Sequence, residues 1–162
     1  MSDVTENVSA SDSTKEKWRE LGFYYDLDDR ISVNQWRFFG SKTGLNKFLQ
    51  LLDNYISDPR NAKQSEHEHY GPYMYLTIMT WNEPMITDNC IAGTLENLKD
   101  LRGLISNKLE ESVPGQTFEI SEDYGTANTV TARFFVMADD FDPVSIDELI
   151  VSGRQAVVNA KL

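Results

Sequence analysis

The densest grouping of side chains able to do chemistry is Glu66-His67-Glu68-His69-Tyr70-Gly71-Pro72-Tyr73, which holds both histidines of the chain. In an extended segment successive side chains point to opposite sides, so His67 and His69 would share one face and Glu66 and Glu68 the other. A His-x-His pair can give zinc or another divalent ion two nitrogen ligands, with carboxylates completing the set. The chain has no third histidine, and its single cysteine, Cys90, lies in the apolar context Asn89-Cys90-Ile91-Ala92. The sequence therefore assigns no metal and no cofactor. A plainer reading is a polar loop entering a strand, its turn fixed by Gly71-Pro72. A third reading is a recognition loop, in which the imidazoles and Tyr70 supply adaptable hydrogen bonds and flat contact area.

Carboxylates form the second group: Asp26, Asp28 and Asp29; Asp139, Asp140 and Asp142; and Glu110-Glu111. Paired carboxylates can serve as acid and base in hydrolysis, but only at a defined separation, which nothing in these runs specifies. They fit contact with a basic partner better. Other catalytic signatures are missing. Gly40-Ser41-Lys42-Thr43-Gly44 lacks phosphate-loop spacing, and there is no G-x-S-x-G, H-E-x-x-H or C-x-x-C. No residue is expected to be catalytic, and the chain reads as a binding protein rather than an enzyme.

Charge points the same way. With 26 acidic against 15 basic residues, the 162-residue chain carries a net charge of -11. Such a field repels nucleic acid and anionic membranes and accelerates encounter with a basic protein, although the same charge can serve solubility alone. No apolar run approaches the roughly 20 residues that span a bilayer. The polar start, Met1 to Thr14, has no apolar signal region, so a cytoplasmic protein is expected.

The elements that must position these residues follow from periodicity. Residues 1–14 read as a flexible polar tail, 15–145 as a single α+β domain and 146–162 as a C-terminal helix or tail. Phe23-Tyr24-Tyr25 and Ile31 to Phe39 are strand-like. Leu45, Phe48, Leu49, Leu52, Tyr55 and Ile56 recur at helical spacing, which predicts a helix over 42–57 stopped by Asp58-Pro59. A polar loop follows over 61–72, then a strand over 73–81 and a weaker one over 86–92. Leu95, Leu98, Leu101, Ile105 and Leu109 predict a second amphipathic helix, and 117–122 and 129–137 two further strands.

Gly40-Ser41 precedes the first helix and Gly93-Thr94 the second, a shift of 53 from 40 to 93. At that shift Leu45, Phe48, Leu52 and Ile56 meet Leu98, Leu101, Ile105 and Leu109, and Ser41 and Thr94 are both placed to cap their helices. Two repeated strand–helix–strand units predict a ferredoxin-like split β-α-β sheet with two helices on one face. Its other face would carry Tyr73, Tyr75, Thr77, Met79 and Trp81 beside Arg133, Phe135 and Met137, residue types that favour protein contacts. A terminal segment, a second copy of the chain in a homodimer, or a different protein could cover it.

The succession Phe39-Gly40-Ser41-Lys42-Thr43-Gly44-Leu45, then Glu68-His69-Tyr70-Gly71-Pro72-Tyr73-Met74-Tyr75-Leu76, then Ile91-Ala92-Gly93-Thr94-Leu95 resembles a group of bacterial immunity proteins encoded beside polymorphic or contact-dependent toxins. The resemblance spans roughly residues 36 to 137, and His-Tyr-Gly-Pro-Tyr is its most specific piece. It implies a small acidic non-enzyme that binds a cognate toxin domain, commonly a basic nuclease, and occludes its active site. The contact would then include Glu66, His67, Glu68, His69, Tyr70, Tyr73, Tyr75, Trp81, Asp139 and Asp140. The alternative is a small metal-dependent hydrolase or ligand-binding protein centred on His67 and His69.

Overall fold

A computed structural model describes residues 2–28, 34–126, 128–147 and 150, with side chains from residue 12 onward. Helix α1 (Ser2–Leu21) leads into β1 (Tyr24–Asp28) and β2 (Gln35–Gly40). Helix α2 (Lys42–Ser57) follows, then β3 (His67–Tyr70), β4 (Leu76–Thr80), β5 (Met85–Ile86) and β6 (Ile91–Gly93). Helix α3 (Leu95–Glu111), β7 (Thr117–Ile120) and β8 (Thr131–Val136) complete the elements, with single 3₁₀ turns at Pro59–Ala62, Glu122–Tyr124 and Pro143–Ile146.

The α+β class expected from the sequence holds. The strands, however, divide into two four-stranded sheets, β1-β2-β8-β7 and β3-β4-β6-β5, instead of one split β-α-β sheet. Each sheet has a parallel central pair (β2 with β8, β4 with β6) flanked by antiparallel edges. The units β1-β2-α2-β3-β4 and β5-β6-α3-β7-β8 therefore have one topology. Each contributes its first two strands to one sheet and its last two to the other.

Matching backbone bonds mark the correspondence. The Trp81 N–H donates to the Gly93 carbonyl at 2.8 Å, and the Met137 N–H to the Gly40 carbonyl at 2.8 Å. Likewise Thr80 N–H donates to Glu66 and Val136 N–H to Gln116, both at 2.9 Å. The caps match too: Ser41 accepts from the Gly44 N–H, and Thr94 from the Asn97 N–H.

Strand exchange explains why the split β-α-β prediction fails. That prediction requires the strand over 73–81 and the strand over 129–137 to share one sheet, whereas β4 pairs with β6 and β8 with β2. The proposed open face is thereby broken in two. On the β8 side Phe39 and Phe135 stack at 4.3 Å, and Asp26, Arg37, Arg133 and Glu119 run in register beside them as a charged row. Thr77, Met79 and Trp81 lie in or beside the other sheet.

The inward faces of both sheets and the apolar stripes of α2 and α3 share one core. Phe38 and Phe118 each stack on Phe134, at 4.7 and 4.9 Å, and Phe48 closes on Phe38 at 5.1 Å. Truncating Phe134 would cost about 3–5 kcal/mol at such a site. Cys90 is buried, as its apolar context predicts, and burial raises its thiol pKa. The N-terminal residues read as a polar tail continue the helix of residues 15–21 back to Ser2. The predicted C-terminal helix or tail lies almost wholly outside the described residues. Among the described residues no helix is long and apolar enough to cross a membrane.

Candidate functional site

Residue 71 is where the most distinctive sequence run acquires a structural reason. Gly71 adopts φ 88°, a left-handed conformation, and a Cβ there would lie 2.5 Å from the Tyr25 ring. The close approach lets the Tyr25 hydroxyl donate to the Tyr70 carbonyl while accepting from the Leu76 N–H at 3.2 Å. One phenol of β1 thus ties down both ends of the β3–β4 loop. Met74, at φ 63°, turns the loop outward, leaving Met74 54% and Tyr75 66% exposed.

Between that loop, β1 and the β5–β6 turn lies a cleft of about 500 Å³ lined by Tyr24, Tyr25, Asp26, Leu27, Trp36, Tyr73, Tyr75, Asp88, Asn89 and Asp147. Its volume is within the usual range for binding pockets, roughly 300–1,000 Å³. Five rings and three carboxylates line it, with no Lys, Arg or His.

The walls are held from behind. Trp18, from α1, is 1% exposed and packs against Tyr24, Tyr25 and Tyr73 with ring centroids 4.7, 5.3 and 5.9 Å away. Asp147, also 1% exposed, accepts from the Trp18 indole N–H at 2.6 Å and from the Tyr73 hydroxyl at 2.7 Å. On the far wall the Trp36 indole donates to the Thr87 carbonyl at 2.7 Å, joining the two sheets. Thr87 Oγ1 in turn accepts from the Asn89 and Cys90 N–H groups, each at 3.2 Å, which fixes the turn carrying Asp88. Asp26 is held by the forked Arg37 guanidinium at 2.8 and 2.6 Å. Burial pushes the phenols of Tyr25 and Tyr73 above their ordinary range, and the Asp147 bond adds to the effect at Tyr73. Both therefore act as neutral donors at physiological pH.

The predicted contact residues fall into separate places. Tyr73 and Tyr75 line the cleft with ring centroids 6.0 Å apart. Glu66 leads into β3, where its carbonyl accepts from Tyr55, and Tyr70 closes the strand half-buried. His67, Glu68 and His69 form exposed β3, so part of the predicted polar loop over 61–72 is a strand. It pairs with β4 because a buried network of Tyr55, Asn61 and Thr80 anchors its entry. Trp81 is half-buried just past β4, and Asp139 and Asp140 are exposed in the turn after β8. These three do not line the cleft.

His67 and His69 do share one face, edge to face at 5.1 Å. His67 Nδ1 meets the Ser65 carbonyl at 3.0 Å and His69 Nδ1 meets Thr77 Oγ1 at 2.9 Å, leaving both Nε2 atoms without a hydrogen-bond partner among the described residues. Among the described residues no group of three His, Cys, Asp or Glu is arranged to hold a metal ion.

Sequence reasoning missed most of the cleft. Tyr24 and Tyr25 read as ordinary strand aromatics, and Trp36, Asp88 and Asp147 carried no pattern linking them. The available signal was three adjacent aromatics, Phe23-Tyr24-Tyr25: neighbours in a strand point to opposite faces, so both faces of β1 had to be covered, and all three rings are buried. Comparisons with protein-family models, curated proteins and solved structures give no match.

Proposed function

We propose that this chain is an immunity-type binding protein, acting in the cytoplasm, that neutralises a cognate and basic bacterial toxin domain, such as a nuclease, by occluding its active site. The observation that carries the reading is the cleft: a rigid aromatic and carboxylate-lined depression with Met74 and Tyr75 standing exposed at its edge. Preorganised aromatic anchors bind protein partners at low entropic cost. The net charge of -11 adds long-range attraction for a basic partner. The immunity-protein resemblance of the His69-to-Tyr73 run bears on the same loop.

The direct test is coexpression with the product of the adjacent reading frame when that product is basic and toxic on its own. A stoichiometric complex and restored growth are expected. A toxin left fully active, with no complex at micromolar concentrations of both purified proteins, rejects the proposal.

The alternative, a metal-dependent hydrolase or ligand-binding protein centred on His67 and His69, has the paired imidazoles in its favour. Stoichiometric zinc lost on His69→Ala, together with turnover of a substrate by the isolated protein, would replace the first reading with this one.

A further inference from the structure

We infer that the cleft is a receptor for a guanidinium group, an arginine side chain presented by the protein's partner. The inference rests on the binding function proposed above and names the chemistry of the contact.

The lining sets the charge of the occupant. Asp26, Asp88 and Asp147 are present and no cationic side chain is, so an anion is repelled. A purely apolar group would strip water from the exposed Asp88 carboxylate without replacing its hydrogen bonds. Two of the three are already engaged: Asp26 with Arg37, and Asp147 with Trp18 and Tyr73. Asp88 differs. It is exposed, has no cation partner among the described residues, and rides on a turn that the Trp36–Thr87 bond holds against the cleft.

The rings set the shape. Tyr25 and Trp36 stand with centroids 6.2 Å apart, and Tyr73 and Tyr75 continue the wall to the edge. A guanidinium is flat, weakly hydrated and able to stack on such rings while forking its N–H groups onto a carboxylate. An ammonium keeps its hydration more tenaciously and has no face to stack. The cleft thus favours arginine over lysine.

The experiment titrates the isotopically labelled full-length protein with N-acetyl-arginine N-methylamide, following the indole N–H resonances. Trp36 lines the cleft and reports it; Trp81 does not and is the control. Saturable movement of Trp36 with Kd on the order of 1 mM is expected. The uncharged citrulline analogue should bind at least 10-fold more weakly and the lysine analogue at least 3-fold more weakly. Asp88→Asn and Tyr75→Ala, both at exposed positions that leave the core untouched, should each weaken arginine binding roughly 3- to 10-fold. Equal binding of citrulline, an unmoved Trp36, or no loss in either variant overturns the inference.

The toxin complex separates the two proposals. If D88N and Y75A bind the toxin as tightly as the parent chain, the arginine receptor falls and the inhibitor reading survives. If the parent chain binds no toxin, the inhibitor reading itself falls.

Discussion

The two units of the molecule share a topology and differ at one end, and the difference locates the cleft. In the second unit the junction of β5 with the β7–β8 loop is sealed. Asn128 accepts from the Ile86 N–H at 2.8 Å and donates to the Ser121 and Gly125 carbonyls, and Thr129 N–H donates to the Ile86 carbonyl at 3.0 Å. The equivalent junction in the first unit, β1 with the β3–β4 loop, is bridged by a ring instead of an amide. The Tyr25 ring reaches from β1 to the Tyr70 carbonyl and the Leu76 N–H at the two ends of that loop. A short amide closes its junction with backbone contact. A tyrosine holds two segments at arm's length, and the space beside it is the cleft.

Removing each bridge tests this directly and should give the largest effect. Asn128→Ala orphans the Ile86 N–H and the Gly125 carbonyl, while Ser121 keeps its bond from the Tyr124 N–H, and is expected to cost about 2–3 kcal/mol in urea unfolding. Tyr25→Phe keeps the ring and loses only the hydroxyl bonds, for about 1–2 kcal/mol. Should the tyrosine variant prove the more costly, the first junction is the structural one and the contrast is reversed.

The helices repeat the lesson one step down. Gly44 in α2 and Asn97 in α3 both donate to their N-cap from the N3 position. Asn97 returns a bond to the Thr94 N–H at 3.0 Å, completing a capping box. At Gly44 a Cβ would fall 2.2 Å from the Gly22 carbonyl, where α1 hands over to β1. The first helix gives up half its cap where α1, which has no counterpart in the second unit, docks and packs Trp18 behind the cleft wall. Gly44→Ala is expected to destabilise by about 1–3 kcal/mol, the ordinary range for an overpacked site. Gly103→Ala, in the open middle of α3, should stabilise by about 0.5–1 kcal/mol. Thermal unfolding of both variants reads the opposite signs.

Legibility followed range. Both long helices were readable because their stripes and caps are local, and Ser41, Asp58 and Thr94 act where the sequence places them. The 53-residue shift was equally visible, since Leu45 and Leu98 occupy one place in one repeated plan. Strand pairing was not. Which strand β4 joins is decided by Ile78 meeting Ile91, a choice between several β-branched candidates that no local pattern ranks. The cleft was hidden for the same reason. Trp18, Trp36, Tyr73 and Asp147 are scattered along most of the chain, and only the packing of α1 and both sheets brings them together.

The smallest effect separates acidic residues that the sequence presents as one cluster. Asp139 and Asp140 are exposed and make no side-chain hydrogen bond or ion pair among the described residues, whereas Asp142 accepts from Arg19 at 2.9 Å and from the Val144 N–H at 3.1 Å. The Arg19 bond holds the Asp142 carboxyl below its ordinary range despite some opposing burial. A carboxylate whose folded pKa is depressed stabilises the fold above its unfolded value, about 3.9, and loses that contribution as pH falls through the lower folded value. Asp142→Asn should therefore lower the unfolding midpoint slightly at pH 7, with the deficit shrinking below about pH 4. The double variant Asp139→Asn, Asp140→Asn should leave that midpoint unchanged at either pH. A deficit in Asp142→Asn that persists unchanged below about pH 3 would mean that the α1 ion pair is not what the substitution removes.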